Sequence, residues 1–155
     1  DVLVADSAPK RKEAWAARSS FLEGIEEQCK LLDECDVVVP VTQIPEYVVY
    51  ADTLAKNYDF QLQYFGHAGD GNLHPTFMCD KRDKDEFERV ERAVDELFNT
   101  TIEMGGTLSG EHGTGTAKQK WLEKETSRGT IGYSRRLRKA IDPKGLFNPS
   151  KLVGV

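Results

Sequence analysis

The sequence predicts an α+β domain in which helices pack on one face of an antiparallel sheet. Three observations point to it. Segments whose apolar residues recur at spacings of three and four alternate along the chain with short β-branched or period-two segments. Two of the period-two segments flank the turn-rich stretch Gly69-Asp-Gly-Asn72, as a hairpin requires. The chain has 155 residues, 39% hydrophobic and 30% charged, which suits one domain with its own core.

From Lys10 to Leu32, residues Trp15, Ser19, Leu22, Ile25, Cys29 and Leu32 follow helical spacing, which predicts a first amphipathic helix with Trp15 in the core. Asp36 to Val39 is a short strand closed by Pro40. Pro45 then opens a second helix with Tyr47, Ala51, Leu54 and Ala55 inward. Phe60 to Tyr64 and Pro75 to Cys79 are the hairpin strands. Asp83 to Met104 is the longest helix, with Phe87, Val90, Val94, Leu97 and Thr101 on one face and Gly105-Gly106 as its stop. Thr107 to Ser109 reads as a short strand, Gly110 to Gly115 as a loop, and Thr116 to Glu125 as a helix around a core Trp121. A last helix, Tyr133 to Ile141, stops before Asp142-Pro143. The chain starts at Asp1 in the apolar run Val2-Leu3-Val4-Ala5, as a piece of a larger unit does, so a partial domain is expected.

A net charge of -5 with basic residues scattered among acidic ones argues against nucleic acid. No apolar run approaches the ~20 residues that span a bilayer, so the chain is not expected to be transmembrane. Cys29, Cys35 and Cys79 lack CxxC spacing and read as reduced thiols, so a cytoplasmic site is expected, with peripheral membrane docking open to the longer protein.

The three histidines, His67, His74 and His112, all lie in Gly-rich loops, His67-Ala-Gly-Asp-Gly-Asn-Leu-His74 and Gly110-Glu-His-Gly-Thr-Gly115. At a hairpin mouth, His67 and His74 stand close enough to share one cation. Glu111 offers a third ligand, and two nitrogens with one carboxylate leave a position open on zinc, manganese or iron. The competing reading is that these are loop histidines making turn hydrogen bonds. Gly113-Thr-Gly115 with Lys118 invites a phosphate-loop reading, but a Walker loop has Lys directly after its last Gly, where this chain has Thr116. Arg18 is placed to reach a substrate carboxylate, or to form a surface ion pair. A self-contained metallohydrolase and a non-catalytic metal- or anion-binding module are the alternatives in other classes.

Three ordered motifs carry a family resemblance: Gly66-His-Ala-Gly-Asp-Gly-Asn-Leu-His74, Gly105-Gly-Thr-Leu-Ser-Gly-Glu-His-Gly113 and Ile141-Asp-Pro-Lys-Gly-Leu-Phe-Asn-Pro149. With Trp15-Ala-Ala-Arg18 and Asp36-Val-Val-Val-Pro40 they cover essentially the whole chain. It resembles the C-terminal domain of FAD-linked oxidases related to glycolate oxidase, D-lactate dehydrogenase and D-2-hydroxyglutarate dehydrogenase. The resemblance implies a ferredoxin-like cap domain beside a separate FAD-binding domain, a small 2-hydroxy-acid substrate, and room for an electron-transfer partner protein. It further implies His67, His74 and Glu111 as metal ligands, with zinc foremost, His112 as catalytic base, Arg18 on the substrate carboxylate and Asn148 beside the flavin. This chain by itself is then expected to be inactive. Thr76 stands where the hydroxyglutarate enzymes carry Asn, and Ser150 replaces the usual Gly of the terminal motif. Glycolate or D-lactate is therefore the preferred substrate.

Overall fold

The computed structural model describes residues 4–20, 23–24, 31–80 and 82–153. Its centre is an antiparallel sheet. The strands β1 (Leu31–Glu34) and β2 (Val37–Val38) follow one another along one edge of β4 (Asn72–Cys79), and β3 (Gln61–His67) lines the other edge. The β3–β4 hairpin has its expected turn, but both strands run further toward it than the alternation alone implied, bringing His67 and His74 into the sheet. Gly71, at φ 77°, supplies the left-handed turn residue, and its Cα faces the Val39 carbonyl so closely that a Cβ there would lie 2.2 Å from the oxygen.

Pairing of β1 with β4 runs from Leu31 opposite Cys79 to Glu34 opposite Thr76, and β2 continues in step with Val37 opposite Leu73 and Val38 opposite Asn72. This ladder corrects the first sequence expectation. The segment starting at Leu31, read as the end of a long helix, is extended, because pairing along β4 outweighs a helical spacing of apolar residues. Helix α1 covers Ala8–Ser19 and buries none of its residues; Trp15 is 66% exposed rather than part of the core. Leu22, Ile25 and Cys29, assigned to the same helical face, lie outside the described residues.

Side chains alternate across β4. Leu73, Phe77 and Cys79 enter a core with Cys35, Val37, Tyr47, Ala51, Leu54, Val90, Ala93, Leu97 and Phe98. That layer is built by α2 (Ile44–Asn57), whose buried residues are the four expected, and α3 (Lys84–Glu103), which buries Val90, Ala93, Leu97, Phe98 and Thr101. Asp83 caps α3 by accepting from the N–H groups of Asp85 and Glu86. Phe87 and Val94 sit at the half-buried margin of the helix face, where Ala93 and Phe98 take the inner positions.

Of the expected strand at Thr107–Ser109, Thr107 alone pairs, forming a bridge to Val38. The segment after Gly115 forms a 3₁₀ turn at Gln119–Trp121 and the short helix α4 (Leu122–Glu125), less helix than its composition implied. Trp121 is buried edge-on against Phe98, and the Glu125 carboxylate accepts from Leu108 N–H and the Thr107 hydroxyl, so tertiary contacts set this path. Helix α5 (Arg128–Ile141) begins earlier than the apolar pattern, because Ser127 caps it by accepting from Thr130 N–H at 3.1 Å. Helices thus cover one face of the sheet. The opposite face carries Asp36, His67, Asn72, His74 and Thr76 in register.

Candidate active site

His67 pairs with Asn72 in the ladder, so His74 lies two residues further along β4 on the same face, diagonally across from His67. Their ring centroids are 6.0 Å apart. The loop after Thr107 crosses this face and brings Glu111 over both rings. Glu111 Oε1 stands 3.0 Å from His74 Nε2 and 3.4 Å from His67 Nε2. His112 stacks on His74 with centroids 5.0 Å apart and planes 13° from parallel, its Nε2 4.0 Å from Glu111 Oε1. His74 is buried, while the side chains of His67, Glu111 and His112 are about half exposed, so the cluster opens to solvent on one side.

The loop is placed by a residue to which the sequence reading gave no chemical role. Asp36, whose side chain is 1% exposed, accepts from Glu111 N–H at 3.0 Å, His112 N–H at 2.7 Å and the Ser109 hydroxyl at 3.2 Å. Lys118 Nζ approaches the carboxylate to 3.7 Å and donates to the Asp36 backbone carbonyl at 3.2 Å. Burial pushes the Asp36 carboxyl up, but the backbone hydrogen bonds from His112 and Glu111, with the charge of Lys118, outweigh it and hold the group below its ordinary range. Asp36 is thus the anchor of the Glu111–His112 loop. A signal was present in the sequence: a lone carboxylate between Cys35 and the Val37-Val38-Val39 run is rarely buried unless it is partnered.

Gly110 is required by the same packing. A Cβ at that position would lie 2.7 Å from the Asn72 amide carbon. Asn72 is itself buried, and among the described residues its Oδ1 accepts no hydrogen bond. An acceptor of that kind beside the histidines suits a ligand that donates a hydrogen bond. Thr76 is fully buried and its hydroxyl donates to the His74 carbonyl at 3.2 Å.

Two groupings bring three candidate ligand atoms within 4.8 Å of one another: His67, His74 and Glu111, and Asp36, His74 and His112. Their chemistry separates them. The carboxylate of Asp36 is occupied by loop N–H groups and Lys118, whereas Glu111 directs one oxygen at two imidazole nitrogens. The donor set of His67, His74 and Glu111 fits a divalent cation with open positions.

Other candidates stand apart. Arg18 is exposed on α1. Asn148 has φ 44° in the exposed tail, its carbonyl accepting from Arg138 Nη2 at 2.7 Å. Lys118 turns toward Asp36, so its ammonium is not offered to a phosphate at Gly113–Gly115.

The family model for the C-terminal domain of FAD linked oxidases matches residues 1–152, and the chain belongs to that family. Among its relatives, D-lactate dehydrogenase of Anaerostipes hadrus is 40% identical over 153 residues, 98% of this chain and 32% of that protein. Glycolate oxidase subunit GlcD of Bacillus subtilis is also 40% identical, over 98% of this chain and 33% of its own length. D-2-hydroxyglutarate dehydrogenase of Stutzerimonas stutzeri is 31% identical over the same shares. The chain therefore spans about a third of the length of these relatives. Among the described residues, no helix is long and apolar enough to cross a membrane.

Proposed function

We propose that this chain forms the substrate side of an FAD-dependent 2-hydroxy-acid dehydrogenase of glycolate or D-lactate type, with FAD held by a separate domain of a longer protein. The observation that carries the reading is the convergence of Glu111 on His67 and His74, with His112 stacked beside them, in a chain of the FAD-linked oxidase family. His67, His74 and Glu111 hold the cation, zinc foremost. The bound groups supply Lewis-acid polarisation of the substrate's hydroxyl and carboxylate oxygens and, at the flavin, a hydride acceptor.

The chain's own residues supply recognition and proton transfer. His112 takes the hydroxyl proton as the α-hydrogen departs with its electron pair, leaving the 2-oxo acid. Stacking on His74 and the Asp36 bond to its backbone N–H hold that imidazole beside the ligand cluster before substrate arrives. Arg18 pairs with the substrate carboxylate, which requires α1 to lie beside the bound acid in the longer protein. Asn148 lies beside the flavin. A monocarboxylate is preferred because Thr76, with its hydroxyl turned to the His74 carbonyl, replaces a residue expected of the dicarboxylate enzymes.

Anaerobic mixing of the full-length flavoprotein with D-lactate or glycolate tests the reading. Flavin reduction is expected with one of these acids, is lost after chelation and returns with zinc or manganese; His112→Asn slows it by about 100-fold or more. Reduction unchanged by chelation, or by His112→Asn, contradicts it.

A further inference from the structure

The tail that follows Asp142 has an unusual backbone. Asn148, Ser150 and Leu152 have φ of 44°, 62° and 57°, the left-handed region that residues other than glycine avoid. Such a run persists only where its surroundings fix it, and here they fix it by its carbonyls. Arg138 on α5 donates from Nη1 to the Lys151 carbonyl at 3.2 Å, and from Nη2 to the Phe147 carbonyl at 2.5 Å and the Asn148 carbonyl at 2.7 Å. A guanidinium is a rigid fork of donors, so this one side chain sets three peptide planes together. The tail in turn holds the segment beyond the site loop. Leu152 N–H donates to the Gly115 carbonyl at 2.8 Å, and Gln119 Nε2 donates to the Ser150 carbonyl at 2.6 Å. These contacts fall on either side of Lys118, which donates from Nζ to the Asp36 carbonyl at 3.2 Å and approaches the Asp36 carboxylate to 3.7 Å.

We infer that Arg138 is a positioning residue for the cation site: by shaping the tail it pins Gly115 and Gln119, keeps Lys118 on Asp36, and so holds the Glu111–His112 loop over His67 and His74. This deepens, and rests on, the reading of His67, His74 and Glu111 as cation ligands. Arg138 acts through the tail and not on the ligands themselves. Without its donors the three carbonyls turn to water, the left-handed residues relax, and Leu152 N–H and the Ser150 carbonyl leave their partners. Gly115, at φ 53°, has wide conformational freedom, so the stretch between the site loop and Lys118 has little stiffness of its own and depends on that bond. Asp36 then loses the cation that faces it while it holds the N–H groups of Glu111 and His112. In the longer protein the tail is also the segment proposed to lie beside the flavin, so the same linkage ties the flavin side of the site to its cation side.

The test is amide hydrogen exchange of the metal-free chain, resolved residue by residue by NMR, with zinc affinity measured beside it by competition with a chelating dye. Arg138→Met keeps the side-chain stem and removes the donors. A chain ending at Asn148 removes the Leu152 N–H and the Ser150 carbonyl by an independent route. Circular dichroism checks that each is folded. In both variants the Glu111 and His112 amides, which Asp36 holds, should exchange about 10-fold faster or more, while those of Phe77 and Leu97 in the core keep their protection. Zinc binding should weaken by about 10-fold or more. Unchanged exchange at Glu111 and His112 in either folded variant overturns the inference. So does equal acceleration at Phe77 and Leu97, which would assign the effect to loss of stability of the whole fold. If exchange at Glu111 and His112 responds as expected but the unaltered chain takes up no zinc, the linkage stands and the cation reading fails.

Discussion

At the scale of single residues, the site depends on a carboxylate that touches no reacting atom. Asp36 satisfies the N–H groups of Glu111 and His112 inside the protein, and removing it leaves those donors without their acceptor. Asp36→Ala is predicted to lower unfolding free energy by about 2–3 kcal/mol and to weaken zinc binding, measured by denaturant titration and metal competition. A loss below ~0.5 kcal/mol would contradict the anchoring role. The terminal motif yields a second prediction. Ser150 has φ 62°, the left-handed region where a Cβ is unfavourable and glycine is at ease. Ser150→Gly should raise stability by about 0.5–1 kcal/mol, seen as a higher denaturation midpoint.

At the scale of elements, the tail from Asp142 onward is tied back to α5 and to the site loop. The Asp142 carboxylate accepts from Phe147 N–H at 2.7 Å and Leu146 N–H at 3.0 Å, and Leu152 N–H donates to the Gly115 carbonyl at 2.8 Å. The bonds from Phe147 and Leu146 hold the Asp142 carboxyl below its ordinary range. Its folded-state pKa is depressed, so the stabilisation is present above the unfolded value near ~3.9 and is lost as pH falls through the folded value. The gap in denaturation midpoint between the unaltered chain and Asp142→Ala should therefore narrow below about pH 4. A gap constant down to pH 2 would contradict this. The sequence made α2, α3 and the hairpin readable because their apolar periods coincide with what they bury. It misassigned Leu31–Glu34 because a long-range ladder with β4 overrides a local helical spacing. Trp15 likewise reads as interior from its size and spacing, yet α1 buries none of its residues and Trp15 is 66% exposed.

At the scale of the whole molecule, the sheet separates two jobs: one face packs the helical core, and the other presents the imidazoles and the loop that crosses them. His67, His74, Glu111 and His112 were readable as a cluster because their types and Gly-rich settings are unusual, whereas the Asp36 carboxylate, whose local setting signalled only that it is partnered, finds its N–H partners in a loop far along the chain. Arg18 and Asn148 lie outside the cluster in this chain, which spans about a third of the length of its relatives. The proposed chemistry depends on two histidines and one glutamate holding a divalent cation. Its most direct test is elemental analysis of the purified chain after zinc loading and gel filtration, beside His67→Ala and Glu111→Ala variants checked for folding by circular dichroism. About one zinc per unaltered chain is expected, with loss of it in both variants. Zinc retained in full by either folded variant, or none taken up by the unaltered chain, would contradict it.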